Sequence, residues 1–194
     1  FPECPGNSRS FYEPNGSGTQ WGNTAIGNAE WTGTPLNAIL EEAGVQADAR
    51  EIVSQGGDFP EMQRGLPLSD ALAPDTMVIW EMNGEPLPKV HGGPVRLFVP
   101  GWGGIASTKW LVGIEVIDHV FQGKLNTDSY TIIDPFDKRL RPVREMPVKS
   151  VIATPTYGSE LTAGEQVITG YAWSGYGQVT MVEVSTNGGS DWAE

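Results

Sequence analysis

The sequence of 194 residues holds one cysteine, Cys4, and two histidines, His91 and His119. A single thiol forms no internal disulfide and leaves the redox compartment open. Three such residues, widely scattered, cannot supply the four clustered ligands of a structural zinc site. No run of about 18 apolar residues occurs, and no basic stretch followed by an apolar one opens the chain, so neither a membrane span nor an export signal is visible. Positive charge is also scarce: 12 Lys and Arg against 24 Asp and Glu give a net charge of −12. That balance disfavours nucleic acid and anionic lipid, which both require a basic footprint, and suits a basic protein partner. The cations are uneven, with nine of the twelve between Lys89 and Lys149 and none beyond, which predicts a cationic site inside an acidic molecule.

What is plentiful is glycine and proline, 25 and 15 residues respectively. They predict many turns and few long helices. Residues 1–33 read as a polar loop region. A helix follows, with Thr34 as N-cap, Pro35 in the first helical position, Leu36, Ile39, Leu40 and Ala43 on one face, and Gly44 as the stop. A short helix is expected over 69–72. "MVIWEMNGEPL" predicts a strand leading into an Asn83-Gly84 turn, since both residues tolerate positive φ. "PVRLFVP" and "KWLVGIEVI" are further strands, the second covered on both faces. "PFDKRLRPVREMPVKS" reads as a surface connector. Beyond Lys149, "QVITGYAWSG" and "QVTMVEVSTNGGSDW" predict antiparallel strands with a turn at Asn187-Gly188-Gly189, the beginning of a β-sandwich. The expected division is a first domain over 1–148 and an incomplete second over 149–194.

Several residues are candidates for chemistry. A lone cysteine is most often a buried structural thiol. Cys4, however, sits before a Pro5-Gly6 turn whose amides can face the sulfur, with Arg9 close behind, an electropositive setting that suits a thiolate ligand or nucleophile. His91, in "KVHGGPVR", lies where the backbone can approach a ligand closely, whereas His119 fits a structural role. A Cys4–His91 hydrolase is conceivable, although no nucleophile motif surrounds either residue. "GWGG" lacks the Lys-Ser/Thr of a phosphate loop, and "GSGTQWGNTAIG" neither follows a strand nor opens a helix. Arg9, Arg64, Lys89, Arg96 and Lys109 read first as scattered solvated charge. Arg96 and Lys109 nonetheless occupy apolar surroundings, where a cation calls for an anionic partner such as a phosphate. Asp58 can accept from one of them or from an amide-rich ligand.

Taken in order, "CPGNSR", "AIGNAEWTGTPL", "WEMNGEPLPKVHGGPVRLFVPGWGGIASTKWLVGIEV", "GYAWSG" and "VEVSTNGGSDW" resemble the sulfite oxidase family of molybdenum enzymes over nearly the whole chain. The resemblance implies an α+β fold: a mixed molybdopterin-binding domain, then part of an immunoglobulin-like dimerisation domain. It implies that Cys4 ligates molybdenum and that Arg9 lines the metal pocket and positions the substrate anion. His91, Arg96, Lys109, Ser107 and Asp58 match cofactor-binding positions, and Tyr130 matches a tyrosine beside the substrate oxygen. The cofactor implied is molybdenum-molybdopterin. The reaction implied is oxygen-atom transfer, sulfite to sulfate, with electrons passing singly to a cytochrome c because no haem-binding Cys-x-x-Cys-His is present. Ser8 stands where vertebrate members carry a second arginine, which implies a bacterial, periplasmic branch. Family segments bearing further arginines fall before residue 1 and after Glu194. Other branches of the family oxidise sulfane sulfur or reduce methionine sulfoxide or nitrate, and a metal-free binding module on the same scaffold is the rival of a different class.

Overall fold

The structure, a computed structural model, describes residues 1–194. Sheet dominates, with eleven strands and three short α-helices. The chain forms two compact units, Phe1–Arg144 and Glu145–Glu194.

In the first unit, two sheets share one core. One is built on β4 (Met77–Met82), which pairs antiparallel with β1 (Trp31–Pro35), β5 (Glu85–Pro86) and β6 (Arg96–Phe98). The other places β2 (Glu51–Gly56) between β3 (Gln63–Pro67) and β7 (Leu111–Ile117), all antiparallel. Strand β1 is where the polar reading of residues 1–33 runs out: Trp31 pairs with Met82 and Thr34 with Val78. Thr34 is therefore committed to the sheet and does not cap the helix. Helix α1 spans Leu36–Ala43 with Pro35 as its N-cap, one residue later than expected. Its stop is as predicted, because Gly44 adopts φ 76° and its N–H donates to the carbonyls of Leu40 and Glu41. Leu36 and Leu40 face inward, but Ile39 is exposed. Helix α2 spans Leu68–Ala71, one residue earlier than expected.

The core joins Leu36 and Leu40 of α1, Ile52 of β2, Leu66 of β3, Ala71 of α2 and Leu97 of β6 with Val99, Trp102 and Ala106. Burying each of the larger side chains stabilises the fold by about 1.5–3 kcal/mol. Strand β7 is not covered on both faces: Leu111, Ile114 and Val116 lean on the core while Val112 is exposed. Only one sheet face meets the core there, so the small and apolar residues of the run do not indicate two-sided burial.

The remainder of this unit is a short helix, α3 (Lys124–Thr127), followed by a hairpin of β8 (Thr131–Ile133) and β9 (Leu140–Pro142). Most of the expected surface connector is thus structured. Arg141 closes the hairpin end by donating to Asp134 at 2.9 Å and to Asp137. In the second unit, β10 (Lys149–Thr154) pairs antiparallel with β11 (Thr169–Trp173). The expected strands over 178–192 reduce to one bridge, in which Val184 and Ala193 exchange both backbone bonds around a turn at Gly188 and Gly189.

Leu36 is fully buried, so Leu36→Ala is expected to destabilise the first unit by about 2–5 kcal/mol. Urea unfolding would show this as a lower midpoint with the slope unchanged.

Candidate functional site

A cleft of about 450 Å³ opens in the first unit, and six residues expected from the sequence line it: Asp58, His91, Arg96, Ser107, Lys109 and Tyr130. They come from distant parts of the chain. Arg96 starts β6 and pairs with Ile79 at the centre of its sheet. Ser107 and Lys109 follow the single turn Gly104–Ala106 and lead into β7. His91 ends the turn Lys89–His91. Asp58 follows β2, and Tyr130 lies between α3 and β8.

Arg96 is 6% exposed. Its Nη1 donates to the His91 carbonyl at 2.9 Å and its Nη2 to the Ser107 carbonyl at 2.7 Å. Its Nε is buried with no partner, and its guanidinium carbon lies 5.9 Å from the centre of the Trp31 ring. Burial pushes its pKa down to about 10, so it stays charged at neutral pH. In place of the anionic partner expected from the sequence, two carbonyls accept from the guanidinium, and its Nε–H is left unmatched.

The Lys109 ammonium donates to the Val90 carbonyl at 2.9 Å and lies 4.2 Å from the centre of the Trp110 ring. Burial, and then the charge of Arg96, lower its pKa, with Asp58 acting in the opposite sense. The stem of Lys109 passes close to Gly92, where φ is 102° and an added Cβ would lie 2.7 Å from Lys109 Cβ. Glycine is required there on both counts. The Ser107 hydroxyl oxygen accepts the Val99 N–H at 3.0 Å, leaving its proton to donate.

Cys4 and Arg9 do not line this cleft. They belong to the adjoining loop, which is tied to it through Glu3, whose carbonyl accepts the N–H of Gly104, a lining residue, at 2.6 Å. Pro2, two residues before the cysteine, is itself a lining residue. Cys4 is half-buried, and its sulfur accepts the Gly6 N–H at 3.4 Å. Only that amide faces the sulfur; the Asn7 N–H donates to the Cys4 carbonyl instead. Arg9 folds back over the turn, so that a Cβ added to Gly6 would lie 3.0 Å from its guanidinium. Beneath the turn, the Asn7 side chain donates to buried Glu3 at 2.9 Å and accepts the Ala25 N–H at 3.0 Å, fixing the loop from inside. His119 is exposed, bonds Asp118 at 2.8 Å, and lines a different cleft.

Sequence reasoning missed Trp110, which lines the cleft at φ 49° with its indole N–H donating to the Lys89 carbonyl at 2.8 Å. Its place next to Lys109 was the available sign. Met62 and Leu125 supply apolar walls.

A cysteine loop beside a cation-lined cleft suits an anionic, sulfur-ligated metal cofactor. No three His, Cys, Asp or Glu residues lie close enough to hold a metal, so a metal at Cys4 must take its other ligands from a non-protein group. Molybdopterin, with its dithiolene sulfurs and phosphate, fits that donor set, and the unmatched N–H of Arg96 fits its phosphate.

Comparison with known proteins defines the class. Residues 1–125 match the oxidoreductase molybdopterin binding domain, and residues 141–194 match the Mo-co oxidoreductase dimerisation domain. The chain belongs to the sulfite oxidase family of molybdopterin-dependent oxidoreductases. It is 35% identical to mitochondrial sulfite oxidase of Drosophila melanogaster over 97% of this chain and 37% of that protein. It is likewise 35% identical to that of Homo sapiens, over 98% of this chain and 38% of that protein. An NADPH nitrate reductase of Phytophthora infestans is 34% identical over 97% of this chain and 24% of its own length. Among solved structures, the sulfane dehydrogenase SoxCD from Paracoccus pantotrophus superposes with a TM-score of 0.85 at 35% identity, covering 99% of this chain and 50% of that one. The chain therefore spans about two fifths of the length of the sulfite oxidases it matches.

The cleft makes a measurable prediction. Pyrophosphate titrated into cofactor-free protein should bind about tenfold more weakly after Arg96→Met or Lys109→Met, a loss of about 1.4 kcal/mol, as expected for one charge-assisted bond. Because Lys109 gives up its proton below its ordinary range, affinity should fall as pH rises, and sooner than an unperturbed lysine would allow. Isothermal calorimetry at several pH values checks both.

Proposed function

We propose that this protein oxidises sulfite to sulfate with a molybdenum-molybdopterin cofactor held in the cleft of its first unit. One observation carries the reading: three cationic or imidazole side chains, His91, Arg96 and Lys109, converge with Ser107, Asp58 and Tyr130 on a single cleft tied to the Cys4 loop. The Cys4 sulfur serves as the protein's metal ligand. His91, Arg96, Lys109 and the Ser107 hydroxyl would hold the cofactor phosphate, and Asp58 would accept from the pterin. When bound, the cofactor supplies two-electron redox chemistry with oxygen-atom transfer.

The chain's own groups provide the rest. Arg9, packed over the Cys4 turn, attracts and orients the sulfite dianion. Tyr130, 42% exposed beside the cleft, donates its phenolic proton to a substrate oxygen. Sulfite plus water yields sulfate, two protons and two electrons, and a basic cytochrome c, attracted by the net charge of −12, takes the electrons one at a time. The domains divide near residue 148, and residues 149–194 are the start of an immunoglobulin-like domain through which two copies pair, a reading supported by the match to a dimerisation domain. The site of action is the periplasm.

A second reading is oxidation of sulfane sulfur, favoured by the likeness to SoxCD and by Ser8 in place of an arginine. Both readings predict one molybdenum per chain, which a metal-free binding module would lack. Sulfite-dependent reduction of cytochrome c separates the two oxidations. In the holoprotein, Cys4→Ser is expected to abolish sulfite-dependent turnover while leaving the thermal melt within a few degrees of the parent. Full turnover by this variant would exclude the thiolate as ligand.

A further inference from the structure

The largest fully buried side chain in the protein is not apolar: it is Arg64, 1% exposed, the second residue of β3, opposite Ser54 of β2. No carboxylate forms an ion pair with it. Burial, and then the charge of Arg144, push its pKa down to about 10, with Tyr130 and Glu51 acting in the opposite sense. A cation so placed is costly unless its donors are well used.

Its Nη1 and Nη2 donate to two carbonyls, those of Leu125 and Val143, while its Nε, like that of Arg96, is buried without a partner. Leu125 is five residues before Tyr130 and Val143 thirteen after it. The loop is closed on itself, because the Val143 N–H donates to the Tyr130 carbonyl at 2.7 Å. The next residue of β3 repeats the grip: Gly65 N–H donates to Asn126 Oδ1 at 3.1 Å, and Asn126 Nδ2 donates back to the Gly65 carbonyl at 3.3 Å. Tyr130 itself has φ 55°, a left-handed backbone that costs a residue with a Cβ about 1–2 kcal/mol and persists only when its surroundings enforce it. The segment bearing the phenol is therefore held in an unfavourable conformation by bonds made from β3.

We propose that Arg64 is a positioning residue for Tyr130: its guanidinium grips the chain on both sides of the tyrosine and so sets where the phenol meets the cleft. An apolar residue would fill the space but leave both carbonyls unpaired. Lysine would keep the charge but not the planar fork that reaches two acceptors. The inference rests on the role given to Tyr130 above, and a double-mutant cycle separates the two.

In holoprotein assayed with sulfite and cytochrome c, Arg64→Lys is expected to lower kcat about tenfold with KM within twofold. The same substitution made on a Tyr130→Phe background should lower it less than twofold, since the group it positions is gone. In cofactor-free protein, Arg64→Lys should speed amide hydrogen exchange across residues 124–143 at least tenfold, while exchange in β4 and β6 stays as in the parent. A full tenfold loss persisting in the Tyr130→Phe background, with that variant itself impaired, would overturn the positioning role and leave the role of Tyr130 standing. Unimpaired turnover by Tyr130→Phe alone would overturn both. Unchanged exchange over 124–143 would overturn the grip. Should Arg64→Lys not fold, Arg64→Met, which removes the charge at similar volume, enters the same cycle with the same expected and excluding results.

Discussion

Buried guanidinium charge is the constraint around which the first unit is arranged. Arg64 and Arg96 are both nearly inaccessible, and main-chain carbonyls take the place of carboxylates. A cation paired to a carboxylate is neutralised and adds little field, whereas one held by carbonyl dipoles keeps its full charge in a medium of low polarity. Arg96 puts that charge at the wall of the cleft, with one N–H unspent. Arg64 puts it against the two carbonyls that flank the segment bearing Tyr130. The acidic character of the whole chain conceals this, because its carboxylates lie mainly elsewhere on the surface.

Glycine and tryptophan complete the arrangement. Gly92 lets the lysine stem pass against the main chain, and the Trp110 ring lies next to the ammonium with its own N–H engaged. On the cysteine side, Gly6 performs the corresponding task for Arg9, while Glu3 and Asn7 brace the turn from below. Lys109 and Arg9 are thus each held against a glycine, with Trp110 beside the first and the braced Cys4 turn beneath the second, an arrangement that fixes candidate side chains in place.

The strands that carry the site were legible wherever a local pattern specified them. The Asn83-Gly84 turn, the Gly44 stop and the runs around Leu97 and Ile114 all read from short-range chemistry. Cys4, Arg9, His91, Arg96, Lys109 and Asp58 read as candidates from their local settings, whereas Ser107 and Tyr130 follow only from the resemblance carried by the order of motifs along the chain. What did not read were features decided by partners far away in sequence. Thr34 has every local property of a cap, but pairing with Val78 takes it into a strand. Ile39 has helical spacing with Leu36 and still faces water. The hairpin over 131–142 was hidden by charged residues that turn out to be its own ion pairs. Arg64 looked like solvated charge because nothing in "EMQRGLPL" announces that Leu125 and Val143 will close over it.

The parallel bridge between Glu3 and Gly103 also bears on how the site is assembled. It joins segments about 100 residues apart, and a closure of that span has a large entropic cost that only the finished core can offset. The thiol loop therefore meets its cleft through a contact between distant segments and not through local structure. Cysteine and cations are separate pieces of the unfolded chain, so a prosthetic group that needs both finds them side by side only in the folded domain.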